Sequence, residues 1–181
     1  MKTVIGVCGT TASGKDTVGA YIAEKLNIPL FECSKPVIEE TKKRGLPLKR
    51  EEIMKVGSEL AAKIGPSFPV GIFLSEIEER GVITSIRAPI NVDYLRKNSR
   101  LILIAVDAKP EIRFKRAKER KKLDDNTSIE DFKKLEEKEV VLGQMNVKKC
   151  MEMADYKILN NTDVDSLKKK VEAILKKEAL K

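Results

Sequence analysis

The chain has 181 residues, 41% of them hydrophobic, and its 36 lysines and arginines exceed its 28 acidic residues by eight. This composition is enough to bury one core of ordinary size, so a single domain over 1–181 is expected. The absence of histidine excludes histidine-dependent catalytic triads and histidine metal sites, and the 4% of aromatic residues makes nucleic-acid binding by base stacking an unfavoured explanation of the positive charge.

The predicted elements alternate between strands and helices. Apolar, β-branched runs predict strands over 3–8, 29–34, 82–86, 100–107 and 156–160. Apolar spacing, together with glycine and proline signals, predicts helices over 17–26, 35–43, 49–64, 69–80, 91–98, 110–122, 128–154 and 163–177, the seventh with a candidate interruption at Gly143. This alternation predicts an α/β fold with three α/β/α layers and a five-stranded parallel sheet.

A glycine-rich segment, Gly9-Thr10-Thr11-Ala12-Ser13-Gly14-Lys15-Asp16-Thr17, joins the first strand to the first helix. Glycine allows backbone conformations closed to other residues, so successive N–H groups can point at phosphate oxygens, and the helix adds the positive end of its dipole. Lys15 would bring a full charge to the β- and γ-phosphates of a nucleotide. The segment therefore predicts a P-loop, or Walker A motif, that binds ATP.

Asp16 stands where the common motif has a serine or threonine whose hydroxyl binds Mg²⁺, and a hydroxyl follows one residue later at Thr17. The carboxylate could bind the metal or its waters, because Mg²⁺ prefers hard oxygen ligands. It could equally do no more than stabilise the first helical turn by its negative charge. Asp16, Thr17 and Asp107, which ends the fourth strand, are the candidate Mg²⁺ ligands.

Three arginines of the sixth predicted helix are spaced i, i+3 and i+7 and share one face, namely Arg113, Arg116 and Arg120. Their guanidinium groups could clamp phosphate oxygens, or the whole basic helix could simply face the solvent.

Arg87 follows the third predicted strand directly, at the sheet edge where ligands gather in this architecture. It could bind an incoming phosphate or form a surface ion pair with Asp93 or Asp107. Lys15, Arg87, Arg116 and Arg120 are the predicted catalytic residues.

Several short motifs follow one another along the chain. They are the 9–17 loop, Ser85-Ile86-Arg87 followed by Asp93-Tyr94-Leu95-Arg96, Val106-Asp107-Ala108 with Glu111-Ile112-Arg113 and Arg116, and Ala154-Asp155 with Asn160. Together they resemble the small P-loop kinases grouped with dephospho-CoA kinase and the deoxynucleoside monophosphate kinases. The resemblance implies ATP-dependent phosphoryl transfer to a nucleotide-like acceptor, a substrate-side helical region at about 35–80, and a mobile lid at about 113–130 that carries Arg116 and Arg120.

Four positions depart from that family pattern. Relatives commonly carry an acid where Lys35 stands, an arginine near Ile38, another near Ala61, and an acid where Thr84 stands. The residues that would bind the nucleotide therefore match the family pattern, whereas those that would bind the acceptor differ from it. Either the acceptor differs from a simple nucleoside monophosphate, or the chain is a nucleotide-binding regulatory module with weak or lost kinase activity.

A GTPase switch is a third hypothesis, and it ranks below the other two. Asn160-Asn161-Thr162-Asp163 lacks the lysine of the usual guanine-specifying motif, and no D-x-x-G follows the third strand.

The cysteines Cys8, Cys33 and Cys150 have no metal-ligand spacing and cannot all pair, which favours a reducing compartment. No apolar run reaches the length of a membrane span, and the first residues lack the apolar segment of a signal peptide. We therefore expect a cytoplasmic protein whose partners are ATP and a small phosphate-bearing acceptor, with no membrane association.

Overall fold

The computed structural model describes residues 1–120, 126–141 and 145–180. Its elements, in chain order, are β1 (Thr3–Gly9), α1 (Lys15–Leu26), β2 (Leu30–Glu32), α2 (Lys35–Lys43), α3 (Arg50–Ile64), α4 (Val70–Glu76), β3 (Arg80–Ile86), α5 (Pro89–Asn98), β4 (Arg100–Asp107), α6 (Pro110–Glu119), α7 (Ile129–Val141), α8 (Val147–Glu152), β5 (Tyr156–Leu159) and α9 (Val164–Lys177). The strands pair in parallel in the order β2-β3-β1-β4-β5. The predicted five-stranded parallel sheet is confirmed.

The two faces of β1 bury different helices, because successive side chains of a strand point to opposite sides of the sheet. Ile5 packs in a cluster with α1 and α9, whereas Val4 packs in a second cluster with α4, α5 and α8. Both residues are fully buried. The helices therefore cover both faces and give the predicted three-layer arrangement, with β1 paired between β3 and β4 at its centre.

Local signals explain where several helices begin and end. α1 begins after Gly14, and it ends at Asn27, whose φ of 50° lies in the left-handed region and whose N–H bonds Ala23 O and Glu24 O. Before α7, Ser128 Oγ accepts the Asp131 N–H at 3.0 Å and donates to the Asp131 carboxylate at 2.7 Å. Ser128 therefore caps the first turn of α7 through its hydroxyl group.

Two predicted helices were wrong in extent. The helix predicted over 69–80 ends at Glu76, because Arg80 and Gly81 pair with β1 as the start of β3. The helix predicted over 128–154 is two helices, with Asn146 between them as the N-cap of α8. The predicted interruption at Gly143 and the predicted end of the sixth helix at 122 lie outside the described residues.

Within the described parts of the chain, no helix is both long and apolar enough to cross a membrane.

Candidate phosphate-binding site

The carboxyl ends of β1 and β4 meet at the loop between β1 and α1, as predicted. Thr10 Oγ1 donates to Asp107 Oδ1 at 2.7 Å, and the Ala108 N–H donates to the same oxygen at 2.8 Å. The N–H of Asn160, after β5, donates to the carbonyl of Asp107 at 2.7 Å. Asp107, a candidate metal ligand, is therefore the residue that joins the loop to the ends of two strands.

Both glycines of the loop stand where a side chain would not fit. A Cβ on Gly9 would lie 2.1 Å from the carbonyl oxygen of Val106, and a Cβ on Gly14 would lie 2.4 Å from Asn160 Nδ2. Gly14 also has a φ of 100°, in the left-handed region that favours glycine. The loop backbone consequently packs directly against β4 and against the segment that follows β5.

Asn160 fixes the end of the loop from the opposite side. Its side chain is 5% exposed, and Nδ2 donates to the carbonyl of Ser13 at 2.8 Å. Ser13 Oγ is also buried and has no hydrogen-bond partner among the described residues. Buried hydroxyls are normally bonded, so an oxygen of a bound phosphate group is a fitting partner for this one.

Lys15 and Asp16 lie together at the start of α1. Lys15 is 6% exposed, and its Nζ lies 3.4 Å from both carboxylate oxygens of Asp16. Asp16 also accepts a hydrogen bond of 3.3 Å from Ser85 Oγ, while its side chain stays 40% exposed. Its carboxylate therefore faces the loop lysine and the end of β3, a more specific placement than a charge at a helix start requires.

Ser85 reaches Asp16 because β3 contains a bulge. Val7 pairs with Thr84 and Cys8 pairs with Ile86, which leaves Ser85 as the extra residue with a φ of 60°. Bulges of this kind re-aim a side chain next to functional sites. An apolar strand pattern carries no signal for such a bulge, so sequence reasoning did not identify the contact between Ser85 and Asp16.

Arg87 lies beyond the end of β3, next to Asp16. Burial lowers the pKa of Arg87, and the negative charge of Asp16 acts in the opposite direction. Asp16 is therefore an acid whose charge acts on this guanidinium. The carbonyl of Arg87 accepts the N–H of Asn146 at 2.7 Å, which ties the start of α8 to the end of β3.

The arginines of α6 have separate partners, and Arg113 also donates to the carbonyl of Thr11 in the loop at 3.4 Å. Arg113 is 6% exposed, donates to Ala108 O at 2.9 Å and pairs with Glu136 of α7. Arg116 donates to Asn160 O at 3.1 Å and to Thr162 O at 3.3 Å. Arg120 is exposed at the C-cap of α6. Glu136 is 23 positions from Arg113, and Asn160 and Thr162 are 44 and 46 positions from Arg116, so the spacing of the arginines on one helix face does not indicate these contacts.

The donors of the site fit a Mg²⁺ ion shared with a nucleotide. Among the described residues, no group of three or more cysteines and acids could hold a metal ion by itself. Mg²⁺ in nucleotide sites is commonly bound through one or two protein oxygens together with substrate phosphates and waters. Asp16 and Thr17, adjacent at the start of α1, provide such oxygens.

A cavity of about 690 Å³ opens beside the loop. Gly9, Thr10, Thr11 and Arg87 line its side nearest the loop, and residues of β4, α6, α7, α8 and β5 line the remainder. Sequence analysis did not predict this cavity, because its walls are contributed by elements far apart in the chain.

A protein-family model described as "AAA domain" matches residues 5–139 of this chain. UPF0200 proteins of Pyrococcus horikoshii and Thermococcus onnurineus are 30% and 31% identical to this chain, over 96% of it and over 96% and 97% of their own lengths. The UPF0200/UPF0201 protein of Archaeoglobus fulgidus is 34% identical over 97% of this chain, which spans only 56% of that protein's length.

Solved structures show the same fold at low sequence identity. Shikimate kinase from Acinetobacter baumannii, in complex with shikimate, superposes with a TM-score of 0.64 at 19% identity and covers 100% of this chain and 96% of its own. A gluconokinase from Sinorhizobium meliloti 1021 gives 0.57 at 18% identity, covering 98% and 93%. The P-loop kinase fold is confirmed, while a place in the dephospho-CoA kinase group stays a prediction. The chain belongs to the UPF0200 family.

Proposed function

We propose that this protein is a phosphotransferase that moves the γ-phosphoryl group of ATP to a small acceptor that bears a phosphate or a carboxylate group. The observation that carries the proposal is the loop itself: Gly9 and Gly14 leave no space for side chains, and the buried Lys15 lies against Asp16 directly after them. Phosphoryl transfer depends on positioning and charge neutralisation more than on a strong base, so a site without histidine is suited to it.

The residues of the loop divide the work of binding the donor. The backbone N–H groups from Thr10 to Gly14 and the ammonium of Lys15 hold the β- and γ-phosphates. Asp16 and Thr17 hold Mg²⁺, which neutralises phosphate charge when it is bound. Asp107 orders the loop through Thr10 and remains a candidate for orienting a metal-bound water.

Three arginines supply the remaining positive charge. Arg87, beside Asp16, meets the acceptor at the end of β3. Arg120 and Arg116 act from α6 on the transferring group, and Arg116 must exchange its carbonyl partners at Asn160 and Thr162 to do so. We propose that this exchange accompanies movement of α6, within the predicted lid region at about 113–130, of which residues 121–125 lie outside the described part of the chain.

A specific observation favours a second candidate, a nucleotide-binding regulatory module. Thr84 occupies the position where relatives of the resembled group carry an acid, and its methyl group is turned towards Gly19 while its hydroxyl donates to Phe31 O at 3.4 Å. The position thus supplies no carboxylate. In the proposed kinase, Asp16 takes over that role from the loop.

Product analysis separates the two functions. The protein is incubated with MgATP and, one at a time, with nucleoside monophosphates, dephospho-CoA and shikimate, and the products are identified by mass spectrometry. The kinase yields ADP together with a phosphorylated acceptor. Tight ATP binding without turnover in the presence of any of these compounds, or of D-gluconate, glycerol 3-phosphate or ribose 5-phosphate, would contradict the proposal and support the regulatory module.

A further inference from the structure

The cavity beside the loop is suited to a small ligand. Its volume of about 690 Å³ lies within the roughly 300–1,000 Å³ typical of small-molecule sites. It reaches Gly9, Thr10 and Asp107 at the loop, so a ligand inside it would meet the phosphates held there. Its other walls are formed by residues of β4, α6, α7, α8 and β5.

The α8 wall is fixed to the proposed catalytic site. The N–H of Asn146 donates to the carbonyl of Arg87 at 2.7 Å, and Asn146 Oδ1 accepts the N–H of Lys149 at 2.9 Å. Cys150 on the same helix is fully buried against the sheet. A ligand held by α8 is therefore held at a defined position relative to Arg87.

The cavity wall combines an apolar surface with two lysines from different elements. Ala105, Val147 and Met151 contribute apolar surface, while Lys148 of α8 and Lys157 of β5 contribute positive charge. In the described ranges neither of these lysines forms an ion pair, whereas Arg113 pairs with Glu136 and Lys133 lies 3.9 Å from Glu111. Lys148 and Lys157 are thus available to an anionic ligand.

The described wall of the cavity lacks what a nucleobase requires. It includes no aromatic side chain for stacking and no asparagine or glutamine to bond the edge of a base. Glu137 offers oxygens that could accept hydrogen bonds from hydroxyl groups. These groups fit an aliphatic molecule that carries hydroxyls and an acidic group better than they fit a nucleoside.

From these features we infer that the cavity binds the acceptor, and that the acceptor is a small non-aromatic hydroxy acid whose carboxylate or phosphate meets Lys148 and Lys157. This inference rests on the proposed phosphotransferase function. In the reaction, a hydroxyl oxygen of the acceptor forms a bond to the γ-phosphorus of ATP as the bond from that phosphorus to the bridging oxygen breaks. ADP leaves with the electron pair, and the hydroxyl proton is released to solvent.

The test compares three acceptor classes and two double variants. Shikimate and D-gluconate represent hydroxy carboxylates, glycerol 3-phosphate and ribose 5-phosphate represent hydroxy phosphates, and AMP, CMP and dephospho-CoA represent nucleotides. Lys148→Ala/Lys157→Ala removes the two cavity lysines that form no ion pair in the described ranges, and leaves Lys133 in place. Lys169→Ala/Lys176→Ala removes the same charge from α9, no residue of which lines the cavity.

Phosphorylation of a hydroxy acid is expected, and the two arms show whether its acidic group is a carboxylate or a phosphate. The cavity variant should raise the KM for that acceptor about tenfold or more, because a hydrogen bond to a charged group contributes roughly 1.5–3 kcal/mol. The KM for ATP should stay unchanged, and the control variant should behave as wild type. Transfer confined to nucleotides, or an unchanged acceptor KM in the cavity variant, would overturn the inference.

Thermal unfolding in the presence of ADP keeps the two proposals separate. If no compound is phosphorylated but a hydroxy acid raises the Tm of wild type and not of the cavity variant, the ligand site stands and the phosphotransferase function fails. If phosphorylation is absent and no hydroxy acid raises the Tm, the inferred ligand class is wrong as well.

Discussion

Gly14→Ala should destabilise the protein chiefly through one neighbour, Asn160. The new Cβ would lie 2.4 Å from Nδ2 of a side chain that is only 5% exposed, and that side chain has little space in which to move. Such overpacking costs about 1–3 kcal/mol. The left-handed φ of 100° adds about 1–2 kcal/mol for a residue with a Cβ.

Asn160→Ala should cost about 1–3 kcal/mol by itself, because it leaves the Ser13 carbonyl without its 2.8 Å partner. The same change removes the atom with which the Cβ introduced by Gly14→Ala would collide. The double variant should therefore be about 1–3 kcal/mol more stable than the sum of the two single effects, although the strain at φ persists.

Urea denaturation of wild type, both single variants and the double variant gives the coupling energy directly. Asn161→Ala is the matched control, because Asn161 accepts the N–H of Lys109 at the exposed side of the same segment and does not contact Gly14. Gly14→Ala and Asn161→Ala should be additive. A coupling below about 0.5 kcal/mol between Gly14 and Asn160 would refute the packing argument.

Three further predictions concern the surroundings of the loop. Gly19→Ala would place a Cβ 2.1 Å from Thr84 Cγ2 and should lower the free energy of unfolding, measured in urea, by about 1–3 kcal/mol. Combining it with Thr84→Ser, which removes Cγ2, should largely recover that stability; an equal loss with and without Thr84→Ser would contradict the prediction. Asp16→Asn should shift the Mg²⁺ titration of activity to higher concentration, and an unchanged titration would exclude Asp16 from the metal site. Burial raises the pKa of the thiols of Cys8, Cys33 and Cys150 to about 12. At about pH 8 the native protein should therefore react with a chromogenic disulfide reagent only after guanidinium is added, and the reactivity of the native protein should rise only as the pH approaches 12. Prompt labelling of these cysteines in the native protein would refute this prediction.

The parts of the fold that sequence reasoning predicted correctly are those with local signals. The strand, glycine loop, lysine and helix around Lys15 are contiguous, so their arrangement follows from short-range backbone preferences. The parallel sheet follows from the alternation of strands and helices. Arg87 was placed correctly for the same reason, because it follows β3 directly.

Long-range packing accounts for what the sequence did not reveal. Arg113 shares a helix with Arg116, yet its guanidinium group pairs with Glu136, a residue of α7 that is 23 positions away. The bulge at Ser85 depends on how β3 meets β1, and an apolar run looks the same with or without it. The α8 wall of the cavity is tied to Arg87 through Asn146, a contact that no periodicity indicates.

The most direct test of the proposed function compares Lys15→Ala with Lys25→Ala, two substitutions that each remove one lysine side chain from α1. Lys25 is exposed and pairs with Glu172, so its loss should leave activity intact. Lys15→Ala should fold yet lose about 10²–10³-fold or more in transfer of the γ-phosphoryl group to the acceptor identified by the panel, because a preorganised charge on the transferring group is removed. A Lys15→Ala protein that is fully active, or one that fails to fold, would contradict the account.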